Sequence, residues 1–102
     1  MKKILIITKE SGQTQNFING LLEYLEESET EFGVEFAFYP HYEEKSTMDD
    51  WIVIALSPEV LAEEDEIRVR FNEMELNIPI IMLDPFNYGM RRYNRIFPQL
   101  LA

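Results

Sequence analysis

The sequence lacks cysteine, has a single histidine, and contains 9 basic residues against 19 acidic ones among its 102 residues. Without cysteine there is no disulfide framework, thiolate nucleophile, zinc-thiolate site or cysteine-ligated iron–sulfur cluster. Any chemistry therefore uses oxygen and nitrogen groups. The net charge of −10 argues against a nucleic-acid partner, because affinity for a phosphate backbone depends on clustered Lys and Arg.

The amino-terminal region has little continuous hydrophobicity. The apolar run that follows Lys3 is only four residues, Ile4 to Ile7. A signal peptide needs about 7–15 apolar residues and a membrane span about 20. We therefore expect a cytoplasmic protein without direct membrane insertion. Because domains often have about 100–150 residues, the length predicts one domain over residues 1–102.

The apolar pattern alternates between strands and helices. Strands are predicted at 4–8, 34–39, 51–56 and 78–83, and helices from about Thr14, after Ser57 and from about Met90, with a possible helical turn at 42–45. This order is typical of an α/β fold with right-handed crossovers. We expect three layers: a four-stranded parallel open sheet in the order 2-1-3-4, with helices on both faces.

Individual residues predict where these elements end and what they bury. Gly33 is expected to stop the first helix, Asn77 to close the helix after Ser57, and residues 85–89 to form a loop. Pro98 is expected to break or kink the last helix. The helical pattern places Phe17, Leu21, Leu22 and Leu25 on the buried face of the first helix.

Ligands of such sheets bind beyond the carboxyl ends of the strands, where the strand order reverses. That position lies between the first and third strands and selects three loops. Their candidate site residues are Thr8, Lys9, Glu10, Ser11, Gly12, Gln13, Thr14, Ser57, Pro58, Glu59, Asp84, Tyr88 and Gly89. No metal site is predicted.

The loop from Thr8 to Thr14 precedes a helix, whose free backbone N–H groups and positive dipole end could hold a phosphate. The hydroxyl groups of Ser11 and Thr14 would add donors, whereas Glu10 would repel the phosphate. An ordinary capped turn is the alternative.

The other loops suggest structural roles. Asp84 could bind a metal or cap the following turn, and capping is favoured because no second acidic residue is suitably placed. Tyr88 is expected to pack over the loop, and Gly89 to adopt a backbone turn that other residues disfavour. His41 is expected to be an exposed polar residue.

Three stretches resemble the enzyme IIB component of the lactose/cellobiose class of the bacterial sugar phosphotransferase system. They are Lys3 to Thr8 with the following loop, Leu56 to Val60, and Asp84 together with Tyr88-Gly89-Met90. The resemblance covers nearly the whole chain and implies a four-stranded phosphoryl carrier. In that family a histidine of enzyme IIA passes phosphate to a cysteine that ends the first strand, and the phosphate then goes to a sugar held by membrane component IIC.

The sequence departs from the family where the chemistry occurs. Thr8 occupies the cysteine position, Lys9 and Glu10 replace small residues, and Glu59 stands where the family has Gln. A threonine hydroxyl needs an adjacent general base to attack phosphorus. Glu10 is close in sequence, but neighbouring residues at the end of a strand tend to point in different directions, so the sequence offers no evident base. The resemblance therefore implies a carrier that is catalytically impaired or regulatory, without a cofactor.

Two alternatives belong to other functional classes. The segment from Ser11 to Thr14 resembles the phosphate loop of flavodoxins, which would make the chain a short protein that binds flavin mononucleotide (FMN), with Trp51, Phe86 or Tyr88 available to stack the flavin. The second alternative is a non-catalytic interaction module. Its docking surfaces would be the acidic helix after Ser57 and the basic residues Arg91, Arg92 and Arg95.

Overall fold

The computed structural model describes residues 2–102. The strands are β1 (Lys2–Thr8), β2 (Phe32–Phe38), β3 (Trp51–Leu56) and β4 (Ile80–Met82). The helices are α1 (Gly12–Glu27), α2 (Glu43–Thr47), α3 (Glu64–Glu73), α4 (Pro85–Gly89) and α5 (Tyr93–Leu101), and a 3-10 helix (Pro58–Glu63) precedes α3.

The four strands form one parallel sheet in the order β2-β1-β3-β4, which confirms the predicted topology. β1 is central: Ile4 pairs with Val34 on one side and Val53 on the other. Ile4 to Ile7 are completely buried, as expected for a strand covered on both faces.

Helices cover both faces of this sheet, again as predicted. Because successive side chains of a strand point to opposite faces, Ile4 and Ile6 pack with residues of α1, α4 and α5. Leu5 and Ile7 pack instead with the 3-10 helix, α3 and Tyr42 beside α2. Two apolar cores, one on each side of the sheet, hold the three layers together.

The end of α1 differs from the prediction. Gly33 does not stop the helix but lies inside β2, and the chain turns earlier, where Glu29 has a φ of 49°. Leu22 was also misplaced, since 60% of its surface is exposed. Phe17 and Leu21 are buried as predicted, and Tyr24 and Leu25 are partly buried against the same core.

The segment after Ser57 is a helix in two parts. Ser57 caps it as predicted, because its side chain accepts a hydrogen bond from the backbone N–H of Glu59. The helix ends at Glu73 rather than at Asn77, and Glu75 takes the left-handed turn with a φ of 57°. β4 is shorter than predicted, although the carbonyl of Pro79 still accepts from the N–H of Ile54.

Two features of the carboxyl-terminal region differ from the prediction: a helix replaces the loop at 85–89, and Pro98 does not break the last helix. Residues 85–89 form α4 rather than a loop, because Asp84 caps this short helix and Pro85 begins it. Pro98 lies inside α5, which continues to Leu101. The proline removes only the hydrogen bond to the carbonyl of Asn94, and Asn94 is exposed, so water can satisfy that carbonyl. Among residues 2–102, no helix is long and apolar enough to span a membrane.

Candidate functional site

Three chain segments leave the sheet side by side at the carboxyl ends of its strands. Hydrogen bonds extend the strand pairing beyond the strands themselves: the N–H of Ser57 donates to the carbonyl of Ile7 over 3.0 Å, and the N–H of Leu83 donates to that of Leu56 over 2.8 Å. The residues that follow are therefore held next to Thr8. The structure brings together the three loops selected from the sequence.

The centre of this region is the carboxylate of Glu59, which accepts hydrogen bonds from four hydroxyl groups. Ser11 Oγ donates to Glu59 Oε1 over 2.5 Å. Tyr88 Oη donates to Glu59 Oε2 over 3.0 Å, and Thr14 Oγ1 donates to the same oxygen. Thr8 Oγ1 lies 3.4 Å from Oε2 and makes the longest of the four contacts.

A second set of hydrogen bonds fixes the hydroxyl groups themselves. Ser57 Oγ donates to Thr8 Oγ1 over 2.8 Å and accepts from the N–H of Glu59. Ser11 Oγ accepts from the N–H of Thr14 over 3.0 Å. Because Thr8, Thr14 and Ser57 are fully or almost fully buried, their rotamers are held by packing as well as by hydrogen bonding.

This arrangement requires an ionised carboxylate, since only the deprotonated form accepts at every oxygen position. Burial raises the pKa of Glu59, but the hydrogen bonds from Ser11, Thr14, Tyr88 and Thr8 outweigh burial and hold that pKa below its usual value. Burial raises the pKa of Tyr88, and the neighbouring Glu59 carboxylate contributes to that increase. The site therefore contains a negative charge surrounded by neutral donors.

The hydroxyl of Thr8 contacts the carboxylate of Glu59, whereas Glu10 is exposed. A carboxylate whose pKa lies below its usual value is a poor acceptor for a hydroxyl proton. Thr8 Oγ1 accepts from Ser57 and lies within hydrogen-bond distance of two further partners, Thr14 Oγ1 at 3.0 Å and Glu59 Oε2 at 3.4 Å.

The rest of the candidate phosphate loop faces away from this centre. The ammonium group of Lys9 forms an ion pair with Glu63 and lies 5.6 Å from the ring centroid of Tyr39. Gly12 and Gln13 are exposed, and a Cβ atom added at Gly12 would meet nothing within 4 Å. The positive charge expected near a bound phosphate is therefore neutralised by an acidic partner.

The remaining candidates have structural positions. Pro58 begins the 3-10 helix, and Asp84 Oδ1 accepts from the N–H of Asn87 over 3.0 Å, which confirms the capping role. Tyr88 is buried and stacks on Phe17, with ring centroids 4.4 Å apart. The special turn expected at Gly89 is wrong, because Gly89 is helical and the left-handed conformation occurs at Arg91.

The FMN alternative needs an aromatic side chain that can stack the flavin, for which Trp51, Phe86 and Tyr88 are the candidates. Trp51 lies at the amino end of β3, the opposite edge of the sheet, where its indole N–H donates to the carbonyl of Lys45. Tyr88 is buried, whereas 60% of the surface of Phe86 is exposed. Of these three residues, Phe86 alone is both near the site loops and accessible to a ligand.

Sequence reasoning included Glu59 in the site but missed its role. The capping signal at Ser57 fixes the orientation of the first helical turn, and this turn directs Glu59 toward the loop after β1. The convergence of Ser11, Thr14 and Tyr88 on its carboxylate depends on three separate crossovers. No local sequence pattern indicates that convergence.

Comparison with known proteins supports the fold. No protein-family model matches the chain, and no curated protein matches it in sequence. Among solved structures, the chain is similar to the lactose-specific IIB component domain of the phosphoenolpyruvate:carbohydrate phosphotransferase system from Streptococcus pneumoniae, with a TM-score of 0.70 and 20% sequence identity over 98% of this chain and 94% of that one. The chain thus has the fold of a phosphotransferase-system IIB domain.

Proposed function

We propose that this chain is a divergent cytoplasmic IIB-like protein of the lactose/cellobiose class, which binds enzyme IIA and membrane component IIC but does not carry phosphate on Thr8. Its role is then regulatory rather than catalytic. The observation that carries the proposal is the ionised Glu59 carboxylate beside the Thr8 hydroxyl. The similarity in fold supports the assignment to a IIB-like protein.

Electrostatics oppose a phosphoryl group at this position. A phosphoryl group on Thr8 Oγ1 would lie about 4 Å from the Glu59 carboxylate, where two like charges repel by about 4 kcal/mol per pair of unit charges at an effective dielectric constant of 20. Lys9 does not offset this repulsion, because it is paired with Glu63. A weak nucleophile and a repelled product together make phosphorylation unfavourable.

The test is incubation with phosphorylated enzyme IIA of a lactose-class system, followed by intact-mass measurement. A cysteine-containing IIB protein of the same class is the positive control and should gain one phosphoryl group. The wild-type chain should gain none. Stoichiometric phosphate on the wild-type chain would overturn the claim that phosphotransfer is lost.

Two variants separate the nucleophile from the charge. Thr8→Cys alone supplies a thiol but keeps Glu59, so it should be phosphorylated far more slowly than the double variant Thr8→Cys/Glu59→Gln. Equal rates in the two variants would show that the Glu59 charge does not matter. The absorbance spectrum of the same wild-type preparation tests the alternative, since a bound flavin would make the protein yellow.

A protein that binds its partners without transferring phosphate still requires a docking surface. The distribution of charged and apolar residues provides a hypothesis for where that surface lies. Phe86 in α4 and Met90, which directly follows α4, lie one helical turn apart and are 60% and 62% exposed. Arg92 lies beside the ring of Phe86, 5.6 Å from its centroid. An apolar patch bordered by basic residues suits an acidic partner surface, so binding to IIA should weaken as the salt concentration rises; salt-insensitive binding would contradict this hypothesis.

A further inference from the structure

A groove lies on the face of the sheet that α3 covers, between α3 and the segment that follows β2. Its volume is about 510 Å³. The backbone of the segment after β2 is fixed by hydrogen bonds: the N–H of Tyr39 donates to the carbonyl of Thr8 over 2.8 Å, and the N–H of His41 donates to the carbonyl of Phe38. One wall of the groove is therefore held by the sheet, and the other is a helix.

The groove has an apolar surface. Tyr42 is buried at its base and packs edge-to-face on Phe71, with ring centroids 5.6 Å apart. The ring of Tyr39 is nearly parallel to that of Tyr42 at a centroid distance of 6.1 Å. On the helix wall, 58% of the surface of Val69 is exposed. Because these side chains line one groove, a partner that covers them removes apolar surface from water.

Acidic side chains surround these apolar groups. The charged residues that line the groove are one basic residue, Arg70, and four acidic residues, Glu43, Asp65, Glu66 and Glu73. Arg70 is already engaged, because its guanidinium group lies 2.9 Å from the Glu43 carboxylate and 3.7 Å from that of Glu73. Within residues 2–102, Asp65 and Glu66 form no ion pair. The groove therefore retains negative charge that a basic partner would complement.

The aromatic wall of the groove also attracts positive charge. The ammonium group of Lys9 lies 5.6 Å from the centroid of the Tyr39 ring, within the distance of about 6 Å at which an aromatic ring attracts a cation. The Tyr39 hydroxyl donates to Glu66 over 2.5 Å. This hydrogen bond raises the pKa of Tyr39 to about 12, so Tyr39 remains a neutral aromatic wall at pH 7.

We propose that this groove is a docking site for a basic segment of a partner protein, in which arginine or lysine side chains alternate with apolar ones. The apolar side chains cover Tyr39, Tyr42 and Val69, and the basic side chains reach Asp65 and Glu66 at the rim. An apolar contact bordered by opposite charges combines burial with electrostatic selection of the partner.

The charge of the chain favours a different protein over a second copy as the occupant. Two copies that each carry a net charge of −10 repel one another, whereas a basic segment is attracted. The partner also differs from the acidic one proposed for the patch around Phe86. The docking role of the groove does not depend on the proposed phosphotransferase partners.

The test titrates the wild-type protein at pH 7 into a short fluorescein-labelled peptide in which Arg and Leu alternate, and follows its fluorescence anisotropy. Two matched peptides separate the contributions: one replaces Arg with Glu, and the other replaces Leu with Ser. The Arg–Leu peptide should bind saturably and more weakly as the salt concentration rises. The other two peptides should bind at least about tenfold more weakly, because each lacks one of the two complementary features.

Variants of the protein locate the binding. Asp65→Lys/Glu73→Lys reverses two charges of the groove and should weaken binding of the Arg–Leu peptide by about tenfold. The matched control, Glu23→Lys/Glu26→Lys, makes the same change in net charge on α1 and should bind like wild type. Val69→Ser removes the exposed apolar contact and should weaken binding by about fivefold. All five positions are exposed, so the substitutions leave the core intact.

Selective binding of the Arg–Leu peptide that is weakened in the groove variants and kept in the α1 control supports the proposal. No saturable binding, equal binding of the Glu–Leu peptide, or equal loss in the two double variants overturns it. Sedimentation velocity without peptide tests a second copy as the occupant, and a dimer that Asp65→Lys/Glu73→Lys abolishes would overturn the assignment to a different protein. These measurements use no enzyme IIA and keep Thr8 and Glu59, so their failure is distinct from failure of the phosphotransfer assay.

Discussion

Replacing Glu59 with Gln tests whether the charge of the carboxylate stabilises the fold, because Gln has almost the same shape. A hydrogen bond to a charged group contributes about 1.5–3 kcal/mol and one between neutral groups about 0.5–1.5 kcal/mol, so the charge adds about 1 kcal/mol per bond. Of the four hydroxyl contacts, the one from Thr8 is long at 3.4 Å. The other three contacts set an upper limit of about 3 kcal/mol on the stabilisation that the charge provides. Partial exposure of Glu59 lowers this stabilisation. We expect Glu59→Gln to reduce the free energy of unfolding by about 1–3 kcal/mol.

Urea unfolding at pH 7 measures this loss, with Glu10→Gln as a charge-matched control that should remain within about 0.5 kcal/mol of wild type. The pH dependence provides a second criterion. Because folding lowers the pKa of Glu59, its contribution is present above the unfolded pKa of about 4.3 and is lost as the pH falls through the lower folded value. The difference between wild type and Glu59→Gln should therefore shrink in acid. A loss no larger than that of the control, or a difference that grows in acid, would refute the reasoning.

Three further substitutions test the elements that hold the site, each by urea unfolding at pH 7. Ser11→Ala removes the cap of α1 and one donor to the carboxylate, so it should cost about 1–2 kcal/mol; Ser11→Asn, which can still cap, should cost less. Gly20→Ala places a Cβ in steric conflict with the Tyr93 hydroxyl oxygen and should cost about 1–3 kcal/mol; no loss would show that Tyr93 shifts freely. Phe71→Ala empties a buried position and should cost about 3–5 kcal/mol, whereas the exposed Val69→Ala should change stability by under about 0.5 kcal/mol.

The sheet could be predicted because its signals are local and repeated. The apolar run from Ile4 to Ile7 is completely buried, and the prediction for Trp51 to Leu56 matches β3. The right-handed crossover rule then leaves few strand orders for four strands alternating with helices. The topology follows from these two kinds of information without knowledge of any side-chain contact.

The helix ends were predicted less well because the chain uses unexpected residues to turn. Left-handed backbone conformations usually fall to Gly or Asn, so Gly33, Asn77 and Gly89 were expected near them. The structure instead has positive φ angles at Glu29, Glu75 and Arg91. All three are exposed, so their long side chains can extend into solvent and the local backbone strain is the only cost. Composition alone does not reveal this choice.

The site shows a different limit of sequence reasoning. Thr14 and Glu59 are 45 residues apart, and Tyr88 is a further 29 residues along the chain from Glu59. The sequence predicts all three near the same edge of the sheet and identifies Glu59 only as a departure from the family's Gln. It could not indicate that the carboxylate turns inward, because that orientation depends on hydroxyl groups from other loops.

Thr8 and Glu59 are chemically coupled, and this coupling connects the absent cysteine with the acidic site. A threonine hydroxyl at the end of β1 can donate to the carboxylate, so the two residues satisfy each other. A thiol at position 8 would be a weaker donor, and the nearby negative charge would raise its pKa and disfavour the thiolate needed for attack. Under the proposed function, a cysteine introduced at position 8 alone would therefore meet an environment that disfavours its thiolate. Either Thr8 or Glu59 by itself would oppose phosphotransfer, so both residues must be replaced to test it.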